Sequence, residues 1–177
     1  LMIKAEFFIQ LIGASFFLIL NIYLAKQGFS DPEIANFIPY RFLAVMLLAF
    51  PLGFYIKGRP LKPFFIVGVL GVPLVAITLV LAVQYAWYYY LPALFILWGV
   101  VFTLFQVSSL PYLMRNTANE NQSHAISLNY ATHSFGTMLS GLLIFGASKF
   151  MTTFDEGEIL FCISAFGFLG LYYVLKI

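Results

Sequence analysis

Six long apolar runs, separated by short polar stretches, divide the chain. Each run has roughly the 20 residues that an α-helix needs to cross the hydrocarbon core of a bilayer. Strands of a membrane barrel would alternate apolar and polar residues over about ten positions, whereas these runs are continuous. The pattern predicts an all-α, polytopic membrane protein whose residues 1–177 form one six-helix bundle. The predicted transmembrane helices cover residues 6–25, 35–56, 63–85, 88–113, 124–148 and 158–176.

The composition supports a membrane location in contact with lipid. Hydrophobic residues make up 62% of the chain and charged residues only 9%, whereas a soluble domain carries about 25% charged residues. The first run is not followed by a small-residue cleavage site, so we expect it to stay in the protein as a transmembrane helix. The net charge of +2 and the lack of a recurring basic face argue against a nucleic-acid partner.

The connections between the runs carry helix-start signals. The stretch KQGFSDPEIA, residues 26–35, offers Ser30 or Asp31 as a cap for the second helix and Glu33 in its first turn. The stretch TTFDEGE, residues 152–158, offers a cap for the sixth helix. Short, capped connections favour helices that cross the membrane in alternating directions.

The positive charges are distributed unevenly between the two sides that such alternation would create. The side with both termini holds six cations, namely Lys4, Lys57, Arg59, Lys62, Arg115 and Lys176. The other side holds two cations and most of the acids, namely Lys26, Lys149, Asp31, Glu33, Asp155, Glu156 and Glu158. Because short cytoplasmic loops are rich in lysine and arginine, we expect a multi-pass protein of the cell membrane with both termini in the cytoplasm.

Polar residues within the first run share one side of the predicted helix. Glu6, Gln10 and Asn21 fall within about 60° of one another, and Gly13 and Phe17 lie on the same stripe. In one interpretation Gln10 and Asn21 line a substrate cavity. In the other, Glu6 lies at the cytoplasmic edge of the membrane and the amides bond to neighbouring helices.

The fifth run has the clearest polar stripe. Asn129, His133, Gly136 and Ser140 fall on one face, with Thr137 at its edge. The imidazole of His133 lies about nine residues into the predicted transmembrane helix, and at that position it is expected to avoid lipid. His133 can therefore bind substrate, carry a proton, or bond to a neighbouring helix. Asn129, on the same face, is a further candidate for substrate binding.

Two further helices supply candidate substrate-binding residues. Gly99, Thr103 and Gln106 share a face of the fourth helix, and Gln106 lies in its cytoplasmic half. Arg41 lies some six residues inside the outer end of the second run. It either attracts an anionic substrate or extends its guanidinium to the membrane surface.

Several kinds of chemistry lack the residues they need. No carboxylate is predicted in the middle of the membrane, because Glu6 lies at an edge and the other acids lie in loops or at helix ends. Paired carboxylates, HExxH, GxSxG and phosphate-binding glycine loops do not occur, and Cys162 is the only cysteine. We therefore predict no enzymatic activity, no cofactor and no metal. An enzyme acting on lipid through His124 and His133 lacks a companion acid at membrane depth.

The connection between the second and third runs lies within the stretch PLGFYIKGRPLKP, residues 51–63, and is short and basic. In one interpretation its cations serve only to set the topology. The stretch PLGFYIKGRP also resembles the loop signature of the major facilitator superfamily, in which a glycine, a hydrophobic pair and an acid precede a basic residue, a glycine and further basic residues. Gly58 and Arg59 match its second half, whereas Tyr55 stands where the family has aspartate. The resemblance implies a gating or topology role for Lys57, Gly58 and Arg59, without the usual charge relay.

Two other stretches extend this resemblance over most of the chain. Residues 23–37 are similar to the family's exit from its first helix, and residues 108–143 to the end of its fourth helix and its glycine-bearing fifth helix. The resemblance implies the N-terminal six-helix half of a transporter, built as a 3+3 inverted repeat. The second half would follow in the same chain or come from a second copy.

We therefore hypothesise a secondary active transporter half that moves a small solute by alternating access. Polar but largely uncharged candidate residues favour a neutral or amphiphilic substrate. The alternative is a non-transporting scaffold or assembly subunit in which the same polar side chains only hold helices together.

Overall fold

The computed structural model describes residues 1–150 and 155–176, apart from the side chains of residues 148 and 150. All secondary structure in these ranges is helical, which confirms the all-α prediction. Short 3₁₀ turns precede the fourth and fifth helices, at Tyr88–Tyr90 and Asn119–Asn121. The helices are α1 (Met2–Lys26), α2 (Asp31–Tyr55), α3 (Lys62–Gln84), α4 (Leu91–Asn116), α5 (Gln122–Phe150), α6 (Glu156–Gly167) and α7 (Leu169–Leu175).

Five helical segments are long and apolar enough to cross a membrane, which indicates a helical membrane protein. They are α1, α2, α3, α4 with the preceding 3₁₀ turn, and α6 continued by α7. The 29-residue α5 is long enough but less apolar, because asparagine, histidine, serine and threonine interrupt it. The long helix that does not meet the hydropathy requirement for a membrane span is thus α5, the helix with the clearest polar stripe.

Two helices, α2 and α6, begin at capping groups rather than where the apolar runs begin. α2 starts at Asp31 instead of residue 35, because Ser30 and Glu33 form a capping box. The Ser30 backbone N–H and hydroxyl both donate to Glu33 Oε2, at 2.8 and 2.7 Å. Asp155 caps α6 by accepting from the Glu156 N–H at 2.8 Å. Residues 152–154 of the predicted capping region lie outside the described residues.

Two helices, α1 and α4, are each the centre of one group of packed helices. α1 packs mainly against α5 and against α6 with α7, whereas α4 packs mainly against α2 and α3. α3 also contacts α6 and α7, which links the two groups. The largest fully buried side chains come mostly from α1, α3 and α4, and include Tyr23, Phe65, Trp98 and Phe105. Most of α2 is exposed at the surface of the bundle.

Glycines allow the helices to approach closely at several crossings. A Cβ on Gly13 would lie 2.9 Å from the Phe102 ring, and one on Gly68 would lie 2.7 Å from Phe105 Cβ. A Cβ on Gly99 would meet the carbonyl oxygen of Arg41 and lie 2.7 Å from Ala44 Cβ. The backbones of α2 and α4 are therefore in direct contact beside Arg41.

We predict that Gly99→Ala destabilises the protein by about 1–3 kcal/mol, because the new methyl group would push α2 away from α4. Gly141→Ala is the matched control, since a Cβ there has nothing within 4 Å. The gain in helix propensity is the same in both variants and cancels in the comparison. Unfolding midpoints in detergent measure the difference, and equal midpoints would contradict the proposed contact.

Candidate functional site

A cavity of about 410 Å³ lies between α1, α2, α4 and α5, and α3, α6 and α7 contribute no residue to its wall. Its volume lies within the range of small-molecule sites. The wall combines aromatic rings with a few polar groups. The lining residues are Gln10, Gly13, Ala14, Phe17, Leu18, Arg41, Phe42, Val45, Phe102, Gln106, His133 and Thr137.

Four of the seven predicted substrate-binding residues meet at this cavity: Gln10, Arg41, Gln106 and His133. Gln10 Nε2 donates to Thr137 Oγ1 at 3.3 Å, and the Thr137 hydroxyl donates to the His133 carbonyl at 3.0 Å. Within the described ranges, the Gln106 amide and the His133 imidazole have no hydrogen-bond partner. The cavity thus presents unengaged polar groups from two different helices.

The other three predicted residues do not reach the cavity. Asn21 is exposed and lies eleven residues beyond Gln10, a rise of about 16 Å along the helix. Thr103 is buried, and its hydroxyl donates to the Gly99 carbonyl at 2.6 Å. Asn129 is half-buried, and its Oδ1 has no partner in the part of the chain that the structure describes. Residues on one face of a helix therefore do not all reach the same cavity.

Arg41 lies within α2 and faces α4. It comes ten residues after Asp31, about 15 Å along α2. Its guanidinium carbon is 5.2 Å from the Phe102 ring centroid, 5.7 Å from that of Trp98 and 5.8 Å from that of Phe42. The positive charge therefore lies over aromatic side chains, two of which belong to α4.

Glu6, the fifth residue of α1, lies between helices. It is only 5% exposed, and its Oε2 accepts a hydrogen bond from Ser109 Oγ at 3.0 Å. This contact joins α1 to α4 across 103 positions of the chain. No local pattern signals it, because Ser109 is one of two adjacent serines and only the fold selects which of them faces α1.

The end of the bundle with both termini has a tight turn held by α4. After α2, the chain turns at Gly58, whose φ of 75° favours glycine. Arg115, in the last turn of α4, donates to the carbonyls of Arg59 at 2.9 Å and Ile56 at 3.2 Å. The Arg59 guanidinium lies 3.9 Å from the Tyr55 ring centroid, and Lys57 is exposed. Arg115 thus orders the turn, a role that the sequence did not reveal.

No protein-family model, no curated protein and no solved structure matches the chain. The resemblance to the major facilitator superfamily therefore stays a prediction. The function has to be inferred from the cavity and from the way the helices pack.

We predict that Ser109→Ala destabilises the protein by about 1–2 kcal/mol, because buried Glu6 loses the donor that it faces. Ser108→Ala is the matched control, since the Ser108 hydroxyl bonds at 2.8 Å to the Leu104 carbonyl of its own helix. Unfolding in detergent compares the two variants. An equal loss of stability in both variants would mean that the hydrogen bond between Ser109 and Glu6 does not contribute to the free energy of unfolding.

We predict that Arg115→Lys speeds trypsin cleavage after Lys57 by about fivefold, because an ammonium cannot donate to both turn carbonyls in the way a guanidinium does. Arg59 and Lys62 are each followed by proline, so Lys57 is the trypsin site of this turn. Mass spectrometry of timed digests gives the rate. Cleavage after Lys26, at the other end of α1, serves as the internal reference and should not change.

Proposed function

We propose that the chain is a six-helix half of a secondary active transporter that moves a small solute across the cell membrane by alternating access. The observation that carries this proposal is the cavity between α1, α2, α4 and α5, to which each of the four helices contributes at least one polar residue. Such convergent polar groups on an otherwise apolar wall are typical of small-molecule sites. Membrane lipid would surround the rest of the bundle.

The packing of the helices supports a 3+3 inverted repeat. Exchanging α1 with α4, α2 with α5, and α3 with α6 and α7 maps the main contacts onto one another. Under this exchange, the contact between α1 and α5 becomes the contact between α4 and α2. The contact of α1 with α6 and α7 becomes the contact of α4 with α3. This symmetry is what the resemblance to one half of a major facilitator protein implies.

The positive charges support cytoplasmic termini. Contacts gather several of the six cations at one end of the bundle: Lys62 Nζ donates to the Leu175 carbonyl at 3.3 Å, and Lys4 Nζ lies 5.6 Å from the Tyr173 ring centroid. Arg115 contacts the turn after α2 at the same end. An end rich in cations is expected to face the cytoplasm.

In the proposed mechanism, the six helices move as one body against a second six-helix half, which lies in the same protein or in a second copy. The cavity then opens to each side of the membrane in turn. Gln106 and His133 would donate to or accept from the solute, because neither has a partner within the described chain. The aromatic wall would hold its apolar part.

A scaffold or assembly subunit is the second candidate, and a specific set of contacts favours it. Several polar side chains in the helices already bond across helix boundaries, as a structural role requires. Ser140 Oγ donates to the Leu11 carbonyl at 3.1 Å, and Gln10 donates to Thr137. The transporter and the scaffold differ in the use of Gln106 and His133. A scaffold role would leave both side chains without a function.

We predict that Gln106→Ala and His133→Ala each lower solute uptake into proteoliposomes by about twofold to tenfold, the effect of one lost hydrogen bond. Matched controls are Gln84→Ala and His124→Ala, an exposed amide and an exposed imidazole away from the cavity. Uptake of a panel of labelled neutral and amphiphilic solutes measures transport. Uptake unaffected by both cavity substitutions would remove this site assignment, and absence of any uptake would favour the scaffold.

A further inference from the structure

Arg41 brings a permanent positive charge to the cavity wall without a negative partner. All seven acidic residues of the chain lie in the described ranges, and none of them lines the cavity. The ion pair found within those ranges joins Lys26 to Glu156, at the end of α1. Across residues 1–150 and 155–176, no oxygen accepts a hydrogen bond from the Arg41 guanidinium. Its charge is therefore open to a group that the chain does not supply.

The position of Arg41 makes an unpaired charge costly. Asp31 and Glu33 in the first turn are expected at the membrane surface, and Arg41 lies about two turns beyond Glu33, within the apolar part of α2. Ionisable side chains at such depth pair with one another or mark the path of a substrate or ion. The rings of Phe42, Trp98 and Phe102, at 5.2 to 5.8 Å, stabilise the cation, but more weakly than a desolvated counter-charge does.

The surroundings of Arg41 limit what that counter-charge can be. The polar groups beside it on the wall are uncharged amides and a hydroxyl, from Gln10, Gln106 and Thr137, together with the His133 imidazole. The remaining wall includes Phe17, Phe42 and Phe102 and the aliphatic Leu18 and Val45. One fixed cation therefore faces a mostly apolar volume.

We propose that the cavity binds a small amphiphilic anion, with one carboxylate-like group paired to Arg41 and an apolar body against the aromatic wall. The inference rests on the proposed function and specifies the class of its solute. A guanidinium can hold a carboxylate through two parallel hydrogen bonds, and the amides of Gln10 and Gln106 offer further donors. The backbone contact between Gly99 and Arg41 holds α2 against α4 beside this charge.

Trp98 provides the readout, because its indole ring lies under the Arg41 guanidinium and the chain has only two tryptophans. In a Trp87→Phe background, Trp98 is the single fluorophore. The full chain in detergent is titrated with three probes that share one apolar body: 4-phenylbutyrate, 4-phenylbutyramide and 4-phenylbutylamine. We expect the anion to bind at least tenfold more tightly than the amide, and the amine to bind least.

Substitution of Arg41 tests the assignment to this residue. Arg41→Gln should abolish the preference for the anion over the amide, and Arg41→Lys should keep part of it, because the charge stays while the paired donors are lost. Lys149→Gln, which removes an exposed cation outside the cavity, should leave the preference unchanged. The probe series on the parent protein needs no substitution at Arg41, so a misfolded variant does not prevent the test.

Three results would overturn the inference. The first is equal binding of the anion and the amide, and the second is a preference for the anion that survives Arg41→Gln. The third is displacement of bound phenylbutyrate by phosphatidylglycerol that binds more tightly than phenylbutyrate does. The first would follow if an acid of a second six-helix half neutralised Arg41. The third would identify lipid as the anion. Selective binding without vesicle uptake would contradict only the transporter proposal, whereas uptake of neutral solutes alone would contradict only the anion site.

Discussion

A polar side chain inside hydrocarbon must bond to protein or face a hydrated space, because lipid offers it no partner. Many polar groups within the helices fall into three sets under this constraint, whereas Ser15, Trp98 and Asn129 each keep a buried polar atom without a partner in the described chain. One set bonds to the carbonyl four residues earlier in its own helix: Thr103, Ser108, Thr132 and Ser164. A second set bonds across a helix boundary: Gln10, Ser109 and Ser140. A third set lines the cavity without a described partner: Arg41, Gln106 and His133.

The same constraint explains where the cavity lies. The core is made chiefly by α1, α3 and α4, and α3 and α4 approach closely at Gly68. α2 packs against α4 and α5 packs against α1, and Arg41, Gln106 and His133 from α2, α4 and α5 line the gap between these four helices. Arg41, Gln106 and His133, whose side chains have no hydrogen-bond partner in the described chain, thus lie together where four helices leave a gap. In the proposed function, a solute would bind in that gap.

Contacts at the two ends of the bundle hold the helices around this gap. Arg115 fastens α4 to the turn after α2, and Lys62 bonds to the last turn of α7. At the opposite end, Lys26 pairs with Glu156 and so fastens α1 to α6. Ties between helices that are distant in the chain favour movement of the bundle as one body, which alternating access by rocking requires.

Local features of the sequence determined the membrane class, the helices and the polar faces. Length and hydropathy of each run depend only on neighbouring residues, as do the capping box at Ser30 and the stripe with His133. Tertiary structure alone decided which residues meet. Gln10 reaches the cavity and Asn21 does not, although they share a helix face, because periodicity gives an angle and not the neighbour at a given depth. Glu6 and Ser109 are paired by helix packing across 103 positions of the chain, an interaction that no local pattern encodes.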